Sequence, residues 1–191
     1  MGADLGDDTL NYALVKKAEI VYSFEPHPHS YKDLTVKFKD IPNIKLYNKA
    51  VSNFNGKSKF NMSKETYCSS LNELSDFFKT NKLIEYDTSI EVDVIRMDTF
   101  IEDNKIEIID YLHCDAQGSD FDVLKSFGDK ISIVQAGRVE VGVKENIYNN
   151  TNDYETVKKY LLDCGFSKFY LKPGLGFDTD LFFSRNKKIY I

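Results

Sequence analysis

The sequence predicts an α/β domain built on a mainly parallel sheet. Strand-like and helix-like segments alternate along its 191 residues. Residues 107–114 form a nearly continuous apolar run, which is typical of a central parallel strand. Two strand-like segments then close the chain as a hairpin. The length fits one domain, residues 1–191, and ligands of such sheets bind at the carboxyl ends of the strands.

The first part of the chain alternates helix and strand. Residues 7–17 predict a helix, because acidic side chains occupy its first turn, where the helix dipole favours them. Residues 19–25 are rich in strand-forming side chains and are followed by Pro26. A helix over 29–40 and a strand over 43–51 follow.

The middle of the chain predicts a hairpin. Residues 57–62 and 89–97 alternate polar and apolar side chains, as two half-buried paired strands do. A short helix is predicted near 71–79, between them. The strand over 107–114 comes next, and Phe121, Leu124 and Phe127 indicate a helix over 119–127.

The last part repeats the alternation. Residues 131–141 predict a strand, and 153–164 predict a helix that ends at Gly165. The closing strands are expected over 166–172 and 179–185.

Composition excludes several classes of partner. The net charge is −5, and the chain has 22 Lys but only 3 Arg. Nucleic acid and membrane are therefore not expected as partners, because both are bound by clustered basic side chains. The three cysteines form no C-x-x-C pair, and the sequence has neither a signal peptide nor an apolar run long enough to span a membrane. We expect a cytoplasmic protein, or one of the host cytoplasm if it is viral.

The first residues predict a ligand-binding loop. Gly2, Ala3, Asp4 and Gly6 precede a helix that contains Thr9, and glycines let a backbone approach a ligand closely. Glu25 ends the next strand, 19 residues after Gly6, where an acidic side chain can accept the ribose hydroxyls of a nucleoside. The spacing is not G-x-G-x-x-G, which disfavours a dinucleotide loop.

A second candidate group follows the strand over 107–114. His113 and Asp115 share one side of that strand, near its carboxyl end, and are candidates for a general base. Glu140 stands near the end of the next strand. Asp115 and Glu140 could hold a hard cation such as Mg²⁺, or they could be polar residues at the rim of the sheet.

Six segments, taken in order, resemble the FkbM family of S-adenosylmethionine-dependent methyltransferases. The family loop D-x-G-A-N-x-G-x-x-T is similar to G-A-D-L-G-D-D-T at 2–9, and the family's F-E-P stands at 24–26. The other matches are N-K-A-V-S at 48–52 with the Gly56 and Phe60 strand after it, Ser-Ser-Leu at 69–71, and L-H-C-D-A-Q-G-S-D-F-D-V-L at 112–124.

The resemblance implies a Rossmann-like class I methyltransferase fold, with a seven-stranded sheet and a terminal antiparallel hairpin. It implies S-adenosylmethionine as the cofactor and O-methylation of a hydroxyl group, most often of a sugar, so that the partner is a small-molecule or carbohydrate acceptor. The loop at 2–6 would hold the methionyl part, Glu25 the ribose, and Ala50 with Val51 the adenine. The full set of expected cofactor-binding residues is Gly2, Ala3, Asp4, Gly6, Thr9, Glu25, Pro26, Ala50, Val51 and Ser70.

The sequence departs from the family pattern in four places. Asp4 replaces Asn, His113 replaces Lys, and Gln117 replaces Glu. The family's central first strand would precede the glycine loop, so we expect it upstream of Met1 or supplied by another segment. These departures keep two alternatives open: an inactive partner module with a cofactor fold, and an NAD-dependent enzyme.

In the expected reaction, Asp115 or His113 takes the proton of the acceptor hydroxyl. In a metal-assisted version, Asp115 and Glu140 bind a cation that acidifies this hydroxyl. The acceptor should enter over the polar segments 62–70 and 142–152, where Tyr67 and Tyr148 suit a carbohydrate.

Overall fold

The computed structural model describes residues 1–64, 68–174 and 176–185. Within these residues nine strands form a two-stranded, a three-stranded and a four-stranded sheet. Tyr67 lies outside the described residues. In this part of the chain no helix is long and apolar enough to cross a bilayer.

The amino-terminal part confirms a helix followed by a parallel strand pair. Helix α1 (Asp7–Leu10) continues into a π-helical turn over Asn11–Val15. Strand β1 (Val21–Phe24) then pairs in parallel with β2 (Ile44–Tyr47), and α2 (Pro28–Lys37) makes the crossover.

The strand predicted over 43–51 is wrong in its extent. It is divided into β2 and β3 (Ala50–Val51), and these two strands belong to different sheets. Asn48 lies in the break, and its side-chain amide donates to the carbonyl oxygen of Glu25 at 2.8 Å. This bond fixes the turn between β2 and β3 beside the end of β1.

The predicted hairpin is confirmed. Strands β4 (Gly56–Ser63) and β5 (Tyr86–Ile95) are antiparallel, and β3 pairs in parallel with the other edge of β5. The short helix between them, α3, covers Asp76–Thr80 rather than 71–79.

Helix α4 (Met97–Asp103) follows β5 and was not predicted. Met97, Phe100 and Ile101 form its buried face, at the i, i+3, i+4 spacing of an amphipathic helix. The Phe100 ring contacts the rings of Phe24 and Tyr47, so α4 packs directly on the β1–β2 pair.

The four-stranded sheet has the order β6-β7-β9-β8. Its strands and the helices between them are β6 (Leu112–Cys114), α5 (Asp120–Lys125), β7 (Ala136–Gly142), α6 (Tyr154–Asp163), β8 (Lys168–Leu171) and β9 (Asp178–Ser184). The strand predicted over 131–141 begins too early, because Gly128–Ile133 is a 3₁₀ helix.

The expected seven-stranded, mainly parallel sheet is not confirmed. Three strand pairs are parallel (β1–β2, β3–β5 and β6–β7) and three are antiparallel (β4–β5, β7–β9 and β8–β9). The terminal antiparallel hairpin, β8–β9, is confirmed. The fold is therefore a mixed α/β arrangement.

The first three residues connect two of the sheets. The amide groups of Gly2 and Ala3 donate to the carbonyl oxygen of Phe24, at the end of β1. The amide of Asp115, just after β6, donates to the carbonyl oxygen of Met1. The glycine segment, Glu25 and Asp115 thus meet at the carboxyl ends of β1 and β6.

Candidate active site

A cavity, partly open to solvent, lies where these strand ends meet. Seven residues predicted from the sequence line it: Gly2, Asp4, Glu25, Pro26, Ala50, Val51 and Asp115. The structure therefore brings residues from four separate sequence segments to one cavity.

Glu25 is held in a fixed orientation at the edge of this cavity. Its Oε2 accepts from the amide of Asp4 at 2.8 Å, and its Oε1 accepts from the amide of His27 at 2.8 Å. Only 5% of the residue is exposed. Burial raises the pKa of its carboxyl group, and the two backbone amides oppose that shift. Each oxygen retains a further lone pair for a ligand hydroxyl.

Gly2 allows the glycine segment to approach Asp115. Its φ is +72°, and a Cβ at this position would lie 1.8 Å from the carbonyl oxygen of Asp115. A side chain at residue 2 would therefore push the two walls of the cavity apart.

Three residues predicted to bind the cofactor support the cavity from outside its lining. Gly6 has φ +80°, and a Cβ there would lie 2.5 Å from Leu34 and Phe38. Ala3 packs with the same cluster, and the Thr9 hydroxyl bonds to that of Ser23 at 3.0 Å. These contacts fix the helix after the loop.

Ala50, Val51 and Phe60 are buried and provide an apolar wall. Ser70 lies next to this wall but does not line the cavity. Its hydroxyl donates to the carbonyl oxygen of Gln117 at 2.5 Å and accepts from the amide of Asn72 at 2.9 Å. Ser70 therefore joins the segment after β4 to the loop that carries Asp115.

Asp115 lines the cavity, and a hydrogen bond from Gln117 orients its carboxylate. The side-chain amide of Gln117 donates to Asp115 Oδ1 at 2.6 Å. Burial raises the pKa of Asp115, and this hydrogen bond counteracts the rise. Asp115 has the position and the acceptor capacity that a general base requires.

His113 points elsewhere. It does not line the cavity, and its Nε2 lies 2.6 Å from Nη2 of Arg138, which also donates to Asp8 at 2.9 Å. Burial, together with nearby positive charge including Arg138, lowers the pKa of His113 to about 2. The imidazole is therefore neutral at physiological pH and accepts the guanidinium proton.

Glu140 lines a second, much smaller cavity, together with Asp120 and Asp178. Burial and the neighbouring carboxylates raise the pKa of Glu140 to about 10, so its carboxyl group is protonated at neutral pH. Gly118 and Tyr148 also line this cavity, which lies beside the loop that carries Asp115.

A metal role for Asp115 and Glu140 finds no support. Across residues 1–64, 68–174 and 176–185, no three His, Cys, Asp or Glu side chains are placed to hold a metal ion.

The family model described as the Methyltransferase FkbM domain matches residues 1–168. The chain belongs to the FkbM methyltransferase family. Among solved structures, this FkbM chain is similar to a methyltransferase FkbM from Methylobacillus flagellatus KT, with a TM-score of 0.60 and 17% identity. The similarity covers 95% of this chain and 41% of the solved chain, and at this identity it shows the fold alone. No curated protein matches the sequence.

Sequence reasoning missed two features of this FkbM domain. Arg138 pairs with Asp8, 130 residues away, and so joins the first helix to β7. Tyr148 was expected at an acceptor entrance, yet it is only 2% exposed and its hydroxyl donates to Gln117 Oε1 at 2.8 Å. An aromatic residue within a polar segment was the only sequence signal for Tyr148, and it does not show that the side chain is buried.

Proposed function

We propose that this FkbM domain is an S-adenosylmethionine-dependent O-methyltransferase that acts on a hydroxyl group of a sugar. The observation that carries the proposal is the shared cavity. The glycine segment, Glu25, the Ala50–Val51 pair and Asp115 line it together.

The residues of the cavity fit an adenosine-containing cofactor. The fixed Glu25 carboxylate offers one free lone pair on each oxygen, which matches two adjacent ribose hydroxyls. Ala50, Val51 and Phe60 offer an apolar surface for a purine. Gly2 and Asp4, at the other side of Glu25, would hold the methionyl part. A carboxylate at residue 4 suits an ammonium group.

S-adenosylmethionine, when bound, supplies a methyl group on a sulfonium centre that is already activated toward attack. The protein's task is then to align the acceptor oxygen and to remove its proton. Asp115 is the residue best placed to accept that proton, because it lines the cavity and its orientation is fixed. His113 accepts from Arg138 outside the cavity, and Glu140 is already protonated.

A sugar is the acceptor that the family resemblance implies. The second cavity, beside the Asp115 loop, has room for no more than about one water molecule and therefore does not supply the sugar site.

The proposal is tested by methyl transfer from radiolabelled S-adenosylmethionine to a panel of sugars and glycosides. Asp115→Asn should reduce turnover by about 10²–10⁴-fold, the usual contribution of a general base, and keep S-adenosylhomocysteine affinity within about threefold. Asp110→Asn is the matched control, since Asp110 is exposed near the opposite end of β6. Cofactor binding without transfer to any acceptor would instead indicate an inactive partner module.

A further inference from the structure

The loop that carries Asp115 is joined to the segment after β7 by a chain of side-chain hydrogen bonds. Tyr148 Oη donates to Gln117 Oε1 at 2.8 Å, and Gln117 Nε2 donates to Asp115 Oδ1 at 2.6 Å. The cofactor contacts proposed above use neither Tyr148 nor the amide of Gln117. The proposed cofactor contacts therefore do not explain this chain of hydrogen bonds.

The Asp115 carboxylate and the Tyr148 hydroxyl together favour one orientation of the Gln117 amide. An ionised carboxylate only accepts hydrogen bonds, so the amide NH₂ group faces Asp115 and the amide oxygen faces Tyr148. Burial raises the pKa of the Tyr148 hydroxyl, so it keeps the proton that it donates to this oxygen at 2.8 Å; the carbonyl oxygen of Cys68 is a second acceptor at 3.3 Å. With the amide reversed, its oxygen would face the carboxylate.

Packing keeps the tyrosine ring in place. Tyr148 is 2% exposed, and its ring lies against Gly118, where a Cβ would be only 2.6 Å from the ring. Gln117 itself has φ +48°, and its carbonyl oxygen accepts from the Ser70 hydroxyl. Backbone and side chain of Gln117 are thus both fixed.

We propose that Gln117 and Tyr148 are positioning residues, which together hold the Asp115 carboxylate in the orientation that accepts the acceptor proton. The inference rests on the proposed function. The hydrogen bond engages Oδ1, and among the described residues no hydrogen bond engages Oδ2, which is available for the acceptor hydroxyl.

Selective ¹⁵N labelling of glutamine tests the hydrogen-bond chain without any substrate. The sequence contains only two glutamines, Gln117 and Gln135, so the spectrum has two side-chain amide groups. We expect one Gln117 amide proton to be shifted downfield and slow to exchange. Asp115→Asn and Tyr148→Phe should each move this signal, while that of Gln135, which bonds to Ile133, serves as the internal reference.

Methyl transfer tests the consequence. Tyr148→Phe keeps the ring and should lower kcat roughly tenfold, a fraction of the about 10²–10⁴-fold that a general base supplies, with KM for S-adenosylmethionine unchanged. Gln117→Met keeps the side-chain length, removes the donor and should lower kcat at least as much. Tyr160→Phe is the control, because its hydroxyl bonds to Leu124 at 3.3 Å on α5, away from the cavity.

The inference is overturned if Tyr148→Phe leaves both the Gln117 signal and kcat at the values of Tyr160→Phe. It is also overturned if KM for the cofactor rises while kcat stays constant. A wild-type protein that binds no S-adenosylhomocysteine would refute the proposed function instead. The amide signals would still decide the positioning, because their response to Asp115→Asn and Tyr148→Phe does not depend on the cofactor.

Discussion

Replacing Glu25 by Gln should weaken S-adenosylhomocysteine binding by about 10- to 150-fold and leave the protein folded. In the structure, both Glu25 oxygens accept a backbone amide at 2.8 Å. Glutamine has one oxygen and one NH₂ group, so one backbone amide would face a donor. One charge-assisted bond to the ribose is lost as well. A hydrogen bond to a charged group contributes about 1.5–3 kcal/mol, and about 1.4 kcal/mol corresponds to a factor of ten in Kd.

The effect of this substitution on stability should be small, because two contributions oppose each other. Burial raises the pKa of Glu25, which means that the fold disfavours its charged form. The neutral glutamine removes that cost but leaves one amide without its acceptor, a loss of about 1–3 kcal/mol. The melting temperature should therefore change by only a few degrees.

Isothermal titration calorimetry at neutral pH measures the binding effect. Adenosine should lose the same factor as S-adenosylhomocysteine, because both carry the ribose. Glu91→Gln is the control, since Glu91 pairs with Lys57 at 2.7 Å on the exposed part of β5. An affinity for S-adenosylhomocysteine within twofold of wild type, in a folded Glu25→Gln variant, would refute the assignment of Glu25 to the ribose.

Three further substitutions follow from the geometry. Glu140→Gln should stabilise the fold, and the gain in melting temperature should grow from pH 5 to pH 9. With a pKa of about 10, Glu140 keeps its proton in the folded protein, whereas the unfolded chain releases it above about pH 4.3. The stability of the wild-type protein therefore falls by up to about 1.4 kcal/mol per pH unit in this range. Gly118→Ala should cost about 2–3 kcal/mol in chemical denaturation, because φ is +86° and the new Cβ meets the Tyr148 ring at 2.6 Å; a cost below about 0.5 kcal/mol would show that the ring moves freely. Gly2→Ala should abolish S-adenosylhomocysteine binding, because its Cβ would lie 1.8 Å from the Asp115 carbonyl oxygen; calorimetry with unchanged affinity would contradict this.

The cavity lining was largely predictable because it depends on local rules. Gly2 is required where backbone meets backbone, and Glu25 follows a strand that ends at Pro26. Ala50 and Val51 were placed by resemblance, and the structure puts them on the same cavity. Each of these residues stands at a strand end or in a tight loop, where sequence and position are closely linked.

The parts that sequence reasoning missed depend on distant contacts. His113 was a candidate base, but the guanidinium of Arg138, on the neighbouring strand, lies against its imidazole. The strand predicted over 43–51 is interrupted because the Asn48 amide bonds back to Glu25. Neither contact leaves a periodic pattern in the sequence. The protonation of Glu140 likewise arises from carboxylates that only the fold brings close.

The departure at Gln117 has a physical explanation in the structure. A carboxylate at this position would repel Asp115 across 2.6 Å, whereas the amide donates to it. The sequence suggested that this replacement casts doubt on catalysis. The geometry supports the opposite interpretation, in which the amide helps to keep Asp115 ionised and oriented.

The central claim is that the cavity beside Glu25 binds S-adenosylmethionine. A thermal-unfolding scan with S-adenosylhomocysteine tests this claim most directly, and NAD serves as the comparison ligand. A ligand at 100 times its Kd adds about 2.7 kcal/mol of stability, which is roughly 5–11 °C for a domain of this size. The account predicts that shift with S-adenosylhomocysteine and none with NAD. A shift with NAD alone would contradict it and favour a nicotinamide-dependent enzyme.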